Sequence, residues 1–323
     1  MTRGMVLGKF LPPHVGHVYL CEFARRWASE LTIVVGTLER EPIAGDQRVR
    51  WMRELFPFDE IVHLTDENPQ EPSEHPDFWG IWEASLRRVL PRLPDVVFAS
   101  EPYGEKLAEV LGARFVMVDH ARSIVPVCAT SIRTNPLAHW EYLPRCVRPH
   151  FVKRVSVFGP ESTGKTTLAR GLAGVLGTVW VPEWARTLLE RRGGALEGLD
   201  WSEIVRGQIA SEEALARDAH RVLVCDTDPL ATVVWAETLG VALSEELVRE
   251  ATQRRYDLTL LMSPDLEWVP DPVRFAPGGG RAFFERCEEV LRAAGRPYVV
   301  VNGAGEARMT AARRAVERSD GMV

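Results

Sequence analysis

Two residue clusters in this chain have the types and spacing to handle phosphate, and they lie about half a chain apart. Gly8-Lys9-Phe10-Leu11-Pro12-Pro13-His14-Val15-Gly16-His17 opens the chain, and Gly159-Pro160-Glu161-Ser162-Thr163-Gly164-Lys165-Thr166-Thr167 opens its second half. The second cluster matches G-x-x-x-x-G-K-[ST] between an apolar run and a helical pattern. In that setting backbone N–H groups wrap phosphates at a helix N-terminus. Gly159, Glu161, Ser162, Thr163, Gly164, Thr166 and Thr167 are therefore candidate nucleotide-binding residues. Lys165 should reach the β/γ-phosphates, and the Thr166 hydroxyl should ligate Mg²⁺. In the first cluster His14 and His17 flank Gly16, with Gly8 upstream. That spacing fits a nucleotidylyltransferase better than a zinc site, since no third ligand cluster follows and the glycines have no job around zinc. Both imidazoles would contact ATP phosphates and stabilise charge on the α-phosphate as pyrophosphate leaves. Gly8, Lys9, Phe10 and Gly16 frame that site. Two nucleotide sites of different design suggest two reactions.

Other residues complete the two constellations. Glu183, in Pro182-Glu183-Trp184-Ala185-Arg186, can serve as a base, anchor an acceptor hydroxyl, or cap a helix. Asp226, in Asp226-Thr227-Asp228, can hold Mg²⁺ through its water shell. Asp228 is either a substrate ligand or the start of the turn before Pro229, and Arg186 is a further substrate-binding candidate. Arg274 and Arg281 lie in the Pro- and Gly-rich stretch 270–281, read as a mobile loop whose arginines close over a transferring phosphoryl group. Trp268 stands just before it and can stack on a flat ring or pack into the core. In the first half, Thr130 and Arg133 share one face of a helical turn and could bind the far phosphates. Trp79 and Trp82 share a helix face and could stack on an aromatic ring or join the core.

These residues need a scaffold. Met5-Val6-Leu7, 31–36, 60–64, 95–100 and 114–118 read as strands, alternating with helical patterns at 17–29, 46–56, 78–90 and 104–111. A second series follows Pro136 to Pro149: strands at 154–158, 178–181, 221–225, 258–261 and 298–301, with helices at 166–176, 202–220, 283–294 and 306–318. The alternation predicts an α/β chain of two doubly wound parallel-sheet domains, a Rossmann-like nucleotidylyltransferase domain at 1–148 and a P-loop kinase domain at 149–323. Ligands then sit beyond the carboxyl ends of the strands.

Composition agrees with an ordinary globular protein. The chain has 323 residues, 46% hydrophobic and 26% charged, with a net charge of -6. An acidic balance argues against non-specific nucleic-acid binding. No apolar run reaches the ~20 residues of a membrane helix, and the start lacks the pattern of a signal peptide, so a cytoplasmic location is expected. The five cysteines are scattered and form no C-x-x-C pair, which disfavours zinc or a disulfide framework. Among the four lysines, Lys9 and Lys165 fall inside the two phosphate clusters.

The order of these pieces resembles the bifunctional nicotinamide riboside kinase/NMN adenylyltransferases, the NadR-type proteins. The resemblance spans nearly the whole chain. It rests on G-K-F-x-P-x-H-x-G-H, on Ser100 to Gly104, and on Cys128 to Arg133 with Asn135-Pro136. In the second half it rests on G-P-E-S-T-G-K-T, Val181 to Arg186, Gly207-Gln208, Asp226 to Asp228, and Trp268 to Asp271 with Arg274. It implies that the second half phosphorylates nicotinamide riboside to NMN with ATP and Mg²⁺. The first half would then transfer AMP from ATP to NMN, giving NAD and pyrophosphate. Three departures stand out: Cys128 where Ser is usual, Trp184 where Tyr is usual, and Pro272 where Gly is expected. A thiol is a weaker hydrogen-bond donor than a hydroxyl. The first strand begins near residue 5, so no N-terminal helix-turn-helix repressor domain and no operator binding are expected. Two alternatives stay open. One is a fused pantetheine-phosphate adenylyltransferase/dephospho-CoA kinase. The other is an NAD- or ATP-sensing module whose transferase half only binds. Self-association into a homo-oligomer is also left open.

Overall fold

The computed structural model describes residues 1–270 and 280–319. Its chain divides into a unit ending at Val147 and a unit beginning at Arg148. In the first, five strands alternate with helices: β1 (Arg3–Gly8), α1 (Val15–Trp27), β2 (Glu30–Gly36), α2 (Gly45–Leu55), β3 (Glu60–Leu64), α3 (Phe78–Val89), β4 (Val96–Ala99), α4 (Tyr103–Leu111) and β5 (Arg114–Met117), closed by α5 (Ala129–Thr134). The strands are all parallel in the order β3-β2-β1-β4-β5. The order reverses beside β1, so the loops after β1 and β4 open a crevice where a ligand can reach backbone N–H groups. Apolar strand residues serve both faces. Val6, Ile33, Val35 and Phe98 pack toward α1 and α2, and Met5, Val34 and Val97 pack toward α3 and α4. Burial on both faces explains why these strands read as continuous apolar runs.

The second unit holds α6 (Arg148–Phe151), β6 (Lys153–Phe158), α7 (Lys165–Leu176), β7 (Trp180–Val181), α8 (Trp184–Arg191), α9 (Trp201–Ala216), β8 (Val222–Asp226), α10 (Pro229–Thr238), α11 (Glu245–Gln253), β9 (Leu258–Met262), α12 (Gly280–Ala293), β10 (Tyr298–Val301) and α13 (Gly305–Ser319). Its parallel sheet runs β10-β9-β6-β8-β7. Here the switch falls at β6, which carries the phosphate loop, and the neighbouring β8 ends on Asp226.

The helices α8, α10 and α11 were not evident from periodicity. Helix α10 is buried on nearly every side through Leu230, Ala231, Val233, Val234 and Ala236, so it has no polar stripe to reveal a 3.6-residue period. Gly280 and Arg281, read as the end of a loop, belong to the first turn of α12.

Candidate functional sites

The first site begins at the loop after β1. His14 is the N-cap of α1, and its Nδ1 accepts the Gly16 N–H at 3.1 Å. An accepting Nδ1 puts the proton of the neutral ring on Nε2. Gly16 makes this possible, since a Cβ there would lie 2.9 Å from His14 Cε1. The His14 and His17 rings sit 3.8 Å apart between centroids, and Phe10 meets His17 edge-on at 4.9 Å. Burial, reinforced by the charge of Arg122, pushes His14 down to about 4. Burial, then His14 and Arg122, holds His17 well below an ordinary imidazole. Both rings are therefore neutral N–H donors at pH 7, and His17 Nδ1 is buried without a partner among the described residues.

The two histidines line a cavity of about 560 Å³ together with Gly8, Lys9, Phe10, Gly16, Trp79, Trp82, Cys128 and Thr130. That volume is in the range of small-molecule sites. Trp82 is pinned by its Nε1–H, which donates to the Pro69 carbonyl at 2.8 Å, and Trp79 packs edge-on against Phe78 at 5.0 Å. Both tryptophans serve the core and the cavity wall at once. Cys128 takes the N-cap position of α5, its Sγ accepting the Ser131 N–H at 3.5 Å and lying 3.1 Å from Ser131 Oγ. Those hydrogen bonds, the Ser131 hydroxyl first, lower the thiol from its ordinary value.

Two expectations change here. Arg133 does not line the cavity; it donates to the Leu11 carbonyl at 2.5 Å and to Thr130 Oγ1 at 3.2 Å, bracing the histidine loop. Two of its donors are thus engaged beside Thr130, which does line the cavity. Lys9 does stand at the cavity, but its Nζ pairs with Glu41 at 3.1 Å. Glu41 also holds Arg48 at 2.7 Å, and this fully buried arginine donates to the Lys9 carbonyl at 2.9 Å. Sequence reasoning missed Arg48, Glu41 and Arg122. An arginine beside Val49, Trp51 and Met52 on the apolar face of α2 was the available signal for Arg48. Arg122 had none, because only the turn built on Asp119 aims it at the histidines. The Asp119 carboxylate accepts the N–H groups of Ser123, Ile124 and Val125.

The second site is built on the loop between β6 and α7. Gly159 has φ +130° and Gly164 φ +79°, and a Cβ on Gly159 would also press on the Met262 carbonyl at 3.0 Å. The loop is braced from behind by the buried Arg308 of α13, which donates to the Thr163 carbonyl and pairs with Asp265. Ser162 Oγ accepts the Val269 N–H at 2.8 Å. Lys165 Nζ donates to the Pro160 carbonyl at 2.8 Å, across the loop that would cradle phosphate.

Asp226 is 1% exposed, and its Oδ1 is buried without a hydrogen-bond partner among the described residues. Burial raises its carboxyl, opposed by a hydrogen bond from Thr166 and by the charges of Lys165 and Arg186. Glu183 stands at the N-cap of α8 without making a capping hydrogen bond. Burial raises it too, opposed by Lys165 and reinforced by Asp226. Two carboxylates, a lysine, an arginine and a threonine hydroxyl thus influence one another at one place. Glu161, Ser162, Thr163, Gly164, Lys165, Thr166, Thr167, Glu183 and Arg186 line a cavity whose far wall is apolar.

Further expectations are corrected or set aside. Asp228 is no cavity residue: Oδ1 caps α10 by accepting the Leu230 N–H at 2.7 Å, and Oδ2 pairs with the buried Arg296 at 2.8 Å. Both oxygens are spent on structure. Arg281 lies exposed on α12, paired with Glu285 at 3.3 Å, because the helix begins before it. Arg274 and Pro272 lie outside the described residues. Trp268 is partly buried beside the Ser162 contacts and is not among the cavity-lining residues.

The two units therefore present a nucleotidylyltransferase-type fold and a P-loop kinase-type fold, each with its own cavity lined by residues of the types that handle phosphate. Comparison with known proteins agrees. A family profile described as an AAA domain matches residues 154–308, the stretch that carries the phosphate loop. The trifunctional NAD biosynthesis/regulator protein NadR of Escherichia coli K12 is 29% identical over 294 residues, 84% of this chain and 72% of that protein. The nicotinamide-nucleotide adenylyltransferase of Methanosarcina mazei is 29% identical over 104 residues, 32% of this chain and 58% of that protein. A crystal structure of NadR in complex with NR superposes with a TM-score of 0.81 at 25% identity, covering 99% of this chain and 96% of that one. A second, with NAD and AMP-PNP, has a TM-score of 0.80 at 24% identity over the same shares. The chain is a homologue of the NadR proteins. Among the described residues no helix is long and apolar enough to cross a membrane.

Proposed function

We propose that this protein is a two-site enzyme of NAD biosynthesis. The second unit phosphorylates nicotinamide riboside to NMN with ATP. The first transfers AMP from a second ATP to NMN, releasing pyrophosphate. The observation that carries the reading is that each unit brings a different set of residues suited to phosphate, His14 and His17 in one and Lys165 and Thr166 in the other, to a cavity at the switch point of its own sheet. The relatives that match along the chain support the substrate class.

In the first unit the neutral His14 and His17 rings donate N–H groups to the phosphates without bringing a full charge. The α-phosphate is thus polarised chiefly by dipoles already in place, which need no reorganisation as charge develops. Gly8 and Gly16 leave room for the Phe10 and His14 rings to take their places at the cavity, and Trp79 and Trp82 offer flat surfaces to a ring. In the second unit Lys165 leaves the Pro160 carbonyl for the β/γ-phosphates. Glu183, raised by burial, is suited to accept the proton of the acceptor hydroxyl or to orient it. Thr166 and Asp226 would hold Mg²⁺, and the orphaned Asp226 Oδ1 beside a hydroxyl fits such an ion or its water shell. The ion would supply neutralisation of phosphate charge. Cysteines that form no disulfide among the described residues fit a reducing compartment.

The test is a product assay with nicotinamide riboside, ATP and Mg²⁺. NMN should appear first and NAD later. Lys165→Ala should abolish NMN formation yet leave NAD formation from supplied NMN intact, and loss of both activities in a folded variant would sink the two-site reading.

A further inference from the structure

Gln208 of α9 is the least explained polar residue beside the kinase cavity. It is 2% exposed, and its residue lines the cavity. Its Oε1 accepts the Trp184 N–H at 3.0 Å, at the first residue of α8 and directly after Glu183. That bond fixes which end of the amide faces the α8 backbone. Its Nε2 is then left buried with no partner among the described residues. A buried N–H group without an acceptor is costly, and such groups persist where something outside the chain completes them. The setting is consistent with that. Gly207 has no Cβ because the Trp184 indole occupies the space, so α8 and α9 pack closely at this point. The indole Nε1 is a second buried donor without a partner among the described residues. The cavity is also lined by the apolar Leu189, Leu199, Trp201 and Trp235 and by the polar Arg186, Thr227 and Thr232. A buried, oriented donor there adds selectivity, since an analogue lacking the matching oxygen leaves it unpaired.

We infer that Gln208 is a specificity-determining residue of the kinase unit, its Nε2–H donating to an uncharged oxygen of the phosphoryl acceptor, either a sugar hydroxyl or a ring carboxamide. This rests on the kinase reading above and adds to it the group that selects the acceptor. Asp226 and Glu183 sit at the reacting end, so Gln208 acts on acceptor binding rather than on the phosphoryl group.

Gln208→Glu tests this directly. It keeps an oxygen for the Trp184 N–H and, assayed at a pH high enough to ionise the buried carboxyl, removes the donor. Gln208→Met removes both groups at similar volume and guards against misfolding of a buried carboxylate. Expected for both variants is a rise of about tenfold or more in KM for nicotinamide riboside, with KM for ATP unchanged. NAD formation from supplied NMN should stay at the wild-type rate. The riboside of pyridine, which lacks the carboxamide, identifies the oxygen. If Gln208 reads the carboxamide, wild type and variants handle that analogue alike; if it reads a hydroxyl, the variants remain impaired on it. An unchanged KM in both variants overturns the inference. So does a Gln208→Glu variant that behaves as wild type while Gln208→Met does not, because the residue then only positions Trp184. A wild-type protein that fails to phosphorylate nicotinamide riboside sinks the proposed function itself, a result separable from either of these.

Discussion

At pH 5 the ligand-free protein should hold the loop around His14 and His17 less firmly than at pH 7.5. An imidazole in the unfolded chain titrates near 6.5, whereas burial and Arg122 push His14 down to about 4 in the fold. As pH falls, the unfolded state takes up the proton first. The stabilising contribution of the neutral ring is therefore complete above about 6.5 and is lost progressively toward 4. At ~1.4 kcal/mol per tenfold, the full gap corresponds to ~3 kcal/mol, of which ~2 kcal/mol is gone at pH 5. The figure needs little screening discount because His14 is only 6% exposed. His17 shifts in the same direction and adds to the effect. The assay is a ring-proton NMR titration of both histidines, paired with hydrogen exchange of the β1 and β2 amides at the two pH values. Exchange there should quicken at pH 5 beyond the intrinsic change, while β6 and β8 of the other unit respond less. Replacing His14 with Gln should remove part of the pH dependence. A His14 ring that titrates near 6.5 in the folded protein refutes the reasoning.

Other substitutions separate the roles of single residues. Gly16→Ala should lower adenylyl transfer about 100-fold with kinase activity intact, since the new methyl displaces the His14 ring. An unaffected rate would show that the ring need not sit there. Arg296→Met should destabilise the second unit by ~3–5 kcal/mol, because Asp228 is left as an uncompensated buried carboxylate. Urea unfolding followed in that unit reads this, and an unchanged midpoint contradicts it. Cys128→Ser should preserve the α5 cap and lower KM for ATP in adenylyl transfer by roughly threefold, as a hydroxyl bonds better than a thiol. It should also abolish inactivation by iodoacetamide, which nucleotide slows in the wild type; a variant still inactivated places the reactive thiol elsewhere.

Much of the scaffold was legible in the chain because the signals are local. The strands of both sheets are buried on two faces and so appear as short apolar runs, and the phosphate loop announces itself by glycines that must adopt positive φ. His14, Gly16 and His17 are spaced within one helical turn, so their meeting follows from the helix start alone. What lay beyond reach depended on partners far away in sequence. Asp228 had the look of a site residue until Arg296, 68 positions later, took its second oxygen. Arg133 had the look of a phosphate ligand, but that it also braces the Leu11 carbonyl, 122 positions earlier, could not be seen. The orphaned Gln208 amide shows the same limit from the other side. A glutamine in a helix says nothing by itself. Only the packing of α8 against α9, which buries the amide and occupies one end of it, makes the other end available for a ligand. Residue types and short spacings thus determined which chemistry the chain carries, since that chemistry is written within single turns and loops. The tertiary structure alone decided which polar groups are spent on holding the fold and which are left for the substrate.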